Sequence, residues 1–156
     1  MHQWLIDNLK EYYTFVRVLK KKAYGEVLLY KHNQFGTYII VKKLQGVYPA
    51  YERLAEIKHK NLPVIYEVSR EEMETLVLEE CIQGITVAEA LERGTLPERN
   101  VREIISQMCD GLYALHSNQI IHRDIKPENV MITDHGEVKI IDFDAAKIYK
   151  LYSAKD

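Results

Sequence analysis

The sequence is poor in cysteine: Cys81 and Cys109 are the only two. They lie far apart and show no metal-ligand spacing. That argues against a disulfide scaffold or a zinc module and fits a reducing, cytoplasmic compartment. An excess of charge of one sign is also missing. Lys plus Arg total 21 and Asp plus Glu total 23, for a formal net charge of −2. Such a balance gives no case for a nucleic-acid partner or a membrane surface. No apolar run approaches the ~18 residues of a membrane span. The N-terminal MHQWLIDNLKEYY carries acids and has no long apolar stretch, so it does not read as a signal peptide. Internal repeats, low-complexity tracts and Pro/Ser-rich linkers are absent as well. What is present is 156 residues, 47% hydrophobic and 28% charged, the size and composition of one globular domain.

The first half reads as strands. Residues 14–32 are rich in β-branched and aromatic side chains, with a break near Lys20 to Gly25. Asn33 to Gly36 is a turn signal, and 37–44 (TYIIVKKL) is a second strand. Pro49 starts a short helix with Tyr51, Leu54 and Ala55 on one face. Strands are also expected at 64–68 and 75–80. The second half turns helical. Thr86 with Glu89, and Thr95 with Glu98, are two capping-box patterns. After the second, Val101, Ile104, Ile105, Met108, Leu112 and Leu115 recur at helical steps, and Cys109 and Tyr113 widen the stripe. Short strands at 130–132 and 138–141 flank a turn at Asp134 to Gly136.

The chemistry lies in two strings. Residues 122–129 read His-Arg-Asp-Ile-Lys-Pro-Glu-Asn, and 142–144 read Asp-Phe-Asp. Asp124, Asn129 and Asp142 are three oxygen-bearing side chains beside two short strands. Carboxylate and amide oxygens suit Mg²⁺, which keeps several waters and takes one or two carboxylates plus substrate phosphates. Lys126 adds a compact cation beside them. Asp124 has the chemistry to orient or deprotonate a hydroxyl. Taken singly, each is equally a solvated residue of a turn-rich loop.

The whole string resembles the catalytic loop of the eukaryotic-type protein kinase family, and the resemblance runs from about residue 12 onward. It implies an α+β fold, a protein kinase-like small lobe (antiparallel sheet plus one helix) with the first part of the helical large lobe. It places the small lobe at about 12–80, a hinge at 81–85 and an incomplete large lobe at 86–156. Asp124 is then the catalytic base, Lys126 meets the γ-phosphate, and Asn129 and Asp142 hold Mg²⁺. Lys126 resembles Ser/Thr kinases more than Tyr kinases. Arg123 and Lys126 argue against the related small-molecule phosphotransferases. Lys42 resembles the strand lysine that pairs the α/β-phosphates of ATP; its plainer reading is a strand-end lysine. Val27, Ile40 and Met131 would sandwich adenine. Glu80 and Ile82 fall on the hinge as further nucleotide contacts. His122 and Phe143 resemble members of the family's apolar spine, and plain core packing accounts for them equally.

Several positions depart from the family pattern. Its Gly-rich loop falls on Lys20 to Val27, where Gly25 alone survives of three glycines, beside matching Tyr24 and Val27. Ile40 stands where a smaller Ala is usual. Counting back from His59-Lys60-Asn61-Leu62, the helix glutamate that should pair with Lys42 falls on Ala50. Glu52 is the nearest acid, about 200° away round a helix. Leu54 then takes a spine position. Glu79 falls at the gatekeeper, which is usually apolar. It is either an ordinary polar strand residue or a pocket-facing partner of Lys42. Asp144 replaces the Gly of Asp-Phe-Gly, and Asp tolerates unusual backbone angles.

There is no Ala-Pro-Glu motif after Asp144. The resemblance therefore implies a Ser/Thr-type protein kinase truncated after Asp-Phe-Asp, of doubtful activity, with an unknown protein substrate. Arg123 would lack the phosphorylated loop it normally meets. The alternative is a non-catalytic, pseudokinase-like nucleotide-binding or regulatory module. Loss of neighbours around the 98–116 helix implies a homodimer that buries the stripe from Val101 to Leu115.

Overall fold

The computed structural model describes residues 2–150. The chain divides into two units, Met1–Ala55 with Val64–Cys81, and Glu56–Pro63 with Ile82–Asp156. Expectations for positions beyond Lys150 lie outside the described residues.

One antiparallel sheet carries the first unit. Its strands are β1 (Tyr13–Lys22), β2 (Gly25–His32), β3 (Tyr38–Gln45), β4 (Ile65–Glu71) and β5 (Glu74–Glu80). They adjoin in the order β1-β2-β3-β5-β4. The meander read from β-branched runs is present, and β4 continues past the expected Val68 to Glu71. The break near Lys20 to Gly25 is a tight turn at Ala23 and Tyr24, with Lys22 opposite Gly25. β1 is an edge strand. Its pairing is irregular between Phe15 and Arg17 and between Val18 and Lys20. Such bulges turn an exposed edge away from further strand pairing.

Strand alternation divides the side chains of β3 between two faces. Ile39 and Val41 join Leu28, Leu76 and Leu78 on one face, where Leu5 and Leu9 cover them. Those two leucines belong to α1 (His2–Tyr12), a helix that the sequence reading did not anticipate. Its buried apolar residues are only Leu5 and Leu9, and 11 residues are too few for a periodic stripe to stand out. Without tertiary cover a helix of this length is marginal in water. On the sheet its buried leucines supply what propensity does not. The opposite face carries Lys42, reached by Tyr51 from α2 (Pro49–Leu54). Pro49 opens α2 as expected, and Ala50, Tyr51 and Leu54 are its buried residues.

The second unit holds α3 (Val87–Glu92) and α4 (Glu98–Ser117). β6 (Gly84–Thr86), β8 (Val130–Thr133) and β9 (Val138–Ile140) form a three-stranded sheet in the order β6-β8-β9. β7 (Ile120–Ile121) pairs with β10 (Lys147–Ile148). Thr86 caps α3 as expected, its Oγ1 accepting the Glu89 N–H at 3.0 Å. Thr95 does not cap α4. Pro97 occupies the N-cap, and its carbonyl accepts from Asn100 and Val101 at 2.9 and 3.1 Å. Helix entry is therefore set two residues later than the capping-box pattern implied.

The apolar stripe of α4 also divides. Ile104 packs with Val130 and Val138, and Met108 lies against that cluster. Leu115 is fully buried, whereas Val101, Ile105 and Tyr113 are exposed. The expected stripe from Val101 to Leu115 is therefore not one continuous free surface, because its inner positions serve the unit's own core. Gly111 lets α4 approach closely: a Cβ there would stand 3.1 Å from Ile140 and 3.2 Å from Asn61. Asn61 in turn donates to the Val138 carbonyl at 2.7 Å and to Gln107 Oε1 at 3.1 Å. This fastens residues 59–62 to α4 and β9. The α+β class inferred from the sequence is the class observed.

Candidate active site

The loop after β7 holds the candidate catalytic residues in the second unit. His122 is buried and locked by two bonds. Its Nδ1 accepts the Asp124 N–H at 3.1 Å, so Nε2 must carry the proton that meets the Ile141 carbonyl at 2.8 Å. That neutral tautomer ties the loop to the segment before Asp142. The ring also meets Phe143 edge-on, with centroids 4.9 Å apart. Asn129 ends a short 3₁₀ turn (Pro127–Asn129) and is itself buried. Its Nδ2 donates to the Asp124 carbonyl at 2.9 Å and to Asp124 Oδ2 at 3.1 Å. Its own carbonyl accepts the Ile141 N–H at 2.9 Å. Lys126 Nζ stands 3.6 Å from Asp124 Oδ2, both side chains partly exposed.

Two residues of this loop system hold left-handed backbone, Arg123 at φ 68° and Asp142 at φ 61°. Neither is glycine, and such conformations persist only where their surroundings enforce them. Here the enforcing contacts are visible. Arg123 Nε donates to the Ala145 carbonyl at 2.8 Å, and Asp142 Oδ1 accepts the Asp144 N–H at 3.2 Å. Arg123 thus has a backbone partner in the segment after Asp142. The unusual angle falls on Asp142 and not on Asp144, so the replacement of glycine at 144 calls for no special tolerance there.

The first unit presents the candidate nucleotide side. Val27 lies directly opposite Lys42 across the β2–β3 ladder, and Ile40 shares that face. Lys42 is 5% exposed. Its Nζ donates to the Tyr51 hydroxyl at 2.8 Å and lies 3.3 Å from Glu79 Oε1. Of the two readings of Glu79, the geometry is that of the inward-facing one, since its side chain is only 12% exposed. Glu52 points elsewhere, 3.9 Å from Arg70 Nη1. Ala50 is buried where the sequence register placed the helix partner. Tyr51 was not foreseen in this role. The signal was a tyrosine on an apolar helix face, because a buried phenol seeks a hydrogen-bond partner.

Gly25 sits tightly against β3: a Cβ there would collide with the Lys43 carbonyl. The glycine thus has a packing reason in the sheet. Tyr24 at the turn is held as well, its carbonyl accepting the Gln45 N–H at 2.7 Å. Glu80 Oε2 accepts the Val64 N–H at 3.0 Å, binding the end of β5 to the chain entering β4. Ile82 and Met131 are both half-buried in the second unit, and Met131 pairs with Thr86 and Lys139. Gly25, Val27, Ile40, Lys42 and Glu80 therefore belong to the first unit. Ile82, Asp124, Lys126, Asn129, Met131 and Asp142 belong to the second.

A family profile described as protein kinase domain matches residues 13–155. The chain belongs to the protein kinase family. Cyclin-dependent kinase 4 of Xenopus laevis is 30% identical over 167 aligned residues, covering 94% of this chain and 52% of that protein. A probable myosin light chain kinase of Dictyostelium discoideum is 36% identical over 100 residues, 62% of this chain and 29% of that one. Serine/threonine-protein kinase PknL of Mycobacterium tuberculosis is 35% identical over 91 residues, 58% and 23% of the two chains. The chain thus spans about half, or less, of the length of these curated relatives. The antiparallel sheet with its helix is the small lobe of a protein kinase, and the helical part of the chain that follows it is the first part of the large lobe. α1 precedes the matched region.

The donor set of this kinase domain fits a magnesium ion. Among the described residues no group of three or more His, Cys, Asp or Glu could hold a metal. Magnesium does not need one, since it binds through one or two carboxylates and completes its shell with water and phosphate. Commitment of Asn129 Nδ2 to Asp124 leaves the amide oxygen as that side chain's ligand atom. No helix among the described residues is long and apolar enough to cross a membrane.

Proposed function

We propose that this chain is the ATP-binding and catalytic-loop part of a Ser/Thr-type protein kinase, acting on a protein hydroxyl. The small lobe would be residues 12–80, the hinge 81–85 and the large-lobe portion 86–156. Asp124 accepts the proton of the attacking hydroxyl as its oxygen bonds to the γ-phosphorus and the bond to the β–γ bridging oxygen breaks. Lys126 meets the charge on the transferring group. Lys42 holds the α/β-phosphates, and Val27, Ile40 and Met131 enclose adenine, with Glu80 just before the hinge and Ile82 on it. Gly25 closes the turn beside the phosphates. Asn129 and Asp142 would hold Mg²⁺, which neutralises phosphate charge when bound. The observation that carries this reading is the contact of Asn129 with Asp124, at 2.9 Å to its backbone carbonyl and 3.1 Å to its carboxylate, which favours one orientation of that carboxylate.

The test is a pair of measurements on the chain. ATP with Mg²⁺ should raise the melting temperature. Transfer of labelled γ-phosphate to a generic protein acceptor should fall about 10²–10⁴-fold in Asp124→Asn. Binding without transfer would favour the second reading, a regulatory nucleotide-binding module. That reading is favoured by Ala50 in place of a helix acid and by lysines in place of two glycines. Absence of both binding and transfer would remove the catalytic and the nucleotide-binding readings together. We further propose that the chain self-associates through the outer face of α4, where Val101, Ile105, Cys109 and Tyr113 are exposed.

A further inference from the structure

The acid that meets Lys42 comes from the sheet. β3 pairs with β5 in unbroken register from Ile39–Glu80 to Gln45–Glu74, with Ile40 opposite Glu79 and Lys42 opposite Val77. Lys42 and Glu79 are therefore diagonal neighbours on one face. Diagonal cross-strand positions lie about 7–8 Å apart, a gap that long side chains bridge. The Lys42 side chain is buried and that of Glu79 largely so, 6% and 12% exposed, and the charged atoms are 3.3 Å apart. A buried charge needs such a partner, because desolvation alone disfavours it strongly. From α2 comes a neutral group, the Tyr51 hydroxyl at 2.8 Å, with the ammonium also 5.2 Å from the ring centroid.

We propose that Glu79 and Tyr51 are positioning residues for Lys42, and that Glu79 takes the place of the helix glutamate. The inference rests on the reading of Lys42 as the phosphate-binding lysine. Its consequence concerns regulation. In protein kinases generally the lysine–glutamate pair is broken or made by movement of the helix. Here the pair lies between two hydrogen-bonded strands, so displacing α2 removes a phenol bond and leaves the ion pair in place. Lys42 is armed by the sheet, and helix position is not its switch.

The experiment is trace amine labelling of the whole chain with acetic anhydride across pH 6–11, with the Lys42 peptide quantified by mass spectrometry against exposed Lys10. Glu79→Gln should lower the titration midpoint of Lys42 by about one pH unit or more, raising its labelling near pH 8 about tenfold. Tyr51→Phe should give a smaller shift in the same direction, and Glu52→Gln none. An unchanged midpoint in Glu79→Gln overturns the proposal. So does a Tyr51→Phe effect as large as that of Glu79→Gln, or any shift in Glu52→Gln. A stability cycle guards against a misfolded single variant. Lys42→Met with Glu79→Leu should melt higher than Glu79→Leu alone, and additive or unfolded behaviour of the pair counts against the proposal. Neither measurement needs nucleotide. Failure of ATP binding would remove the functional reading and leave these results standing.

Discussion

Glu79 Oε1 lies 3.3 Å from Lys42 Nζ, and the same carboxylate acts on Cys81, two residues along the chain. Burial first, then Glu80, then Glu79 hold the Cys81 thiol above its ordinary value. The thiolate is the reactive form, so Cys81 should alkylate slowly at neutral pH. Removing an acid lowers the thiol pKa and raises the thiolate fraction. Iodoacetamide at pH 8 should therefore modify exposed Cys109 before Cys81. Glu80→Gln should accelerate Cys81 roughly two- to fivefold, and Glu79→Gln less. Peptide mass spectrometry reads both sites in one reaction. A Cys81 rate unchanged in Glu80→Gln would contradict the electrostatic account.

Leu9 is buried between α1 and the sheet, whereas Trp4 on the same helix is 64% exposed. Leu9→Ala should lower the unfolding free energy by about 2–5 kcal/mol, and Trp4→Ala by no more than about 0.5 kcal/mol. Urea titrations of the two variants test whether α1 is an integral layer of the small lobe. Equal effects would mean that the helix does not dock through its leucines.

Glu71 Oε1 accepts the backbone N–H of His2 at 2.8 Å, which ties α1 to the end of β4. That bond holds the Glu71 carboxyl below its ordinary 4.5. A depressed carboxylate contributes stability above its unfolded value, and that contribution is lost as pH falls through the folded value. The melting temperature of wild type should exceed that of Glu71→Gln at pH 6–7. The gap should close as the pH drops below about 4.5. A gap that persists in acid would assign the effect to something other than ionisation.

Gly25 has no room for a Cβ against the Lys43 carbonyl. Gly25→Ala should therefore destabilise the sheet by about 1–3 kcal/mol, measured without nucleotide. A variant of native stability with weakened ATP binding would instead make this glycine a phosphate-loop residue alone.

Ile105 is 51% exposed and Tyr113 is 76% exposed, two turns apart on the outer face of α4. Light scattering at tens of micromolar should show a dimer, and Ile105→Glu should convert it to monomer. A monodisperse wild-type monomer would count heavily against self-association through this helix.

Most of the sheet was legible in the sequence because strand signals are local. Val27, Ile39 to Val41 and Leu76 to Leu78 lie in short β-branched and apolar runs bounded by turn residues. The candidate site was legible because Asp124, Lys126, Asn129 and Asp142 lie close along the chain in a string of rare specificity. What escaped depends on partners far away in sequence. Leu5 and Leu9 are unremarkable until Val41 and Leu78 lie beneath them. Thr95 looked like a cap, but Pro97 takes that place. Tyr51 read as core, and its hydroxyl meets Lys42.

The sequence by itself determined the kinase family, the α+β class, and the oxygen and amine groups available for phosphoryl chemistry. These follow from residue type and short spacing, which no folding is needed to see. Only the tertiary structure decided which acid faces Lys42. Glu52 and Glu79 are both carboxylates within reach on paper. The register of β3 against β5 buries one beside the ammonium, while helix geometry turns the other out to Arg70. Charge pairing depends on distance and burial, and both are properties of the folded chain.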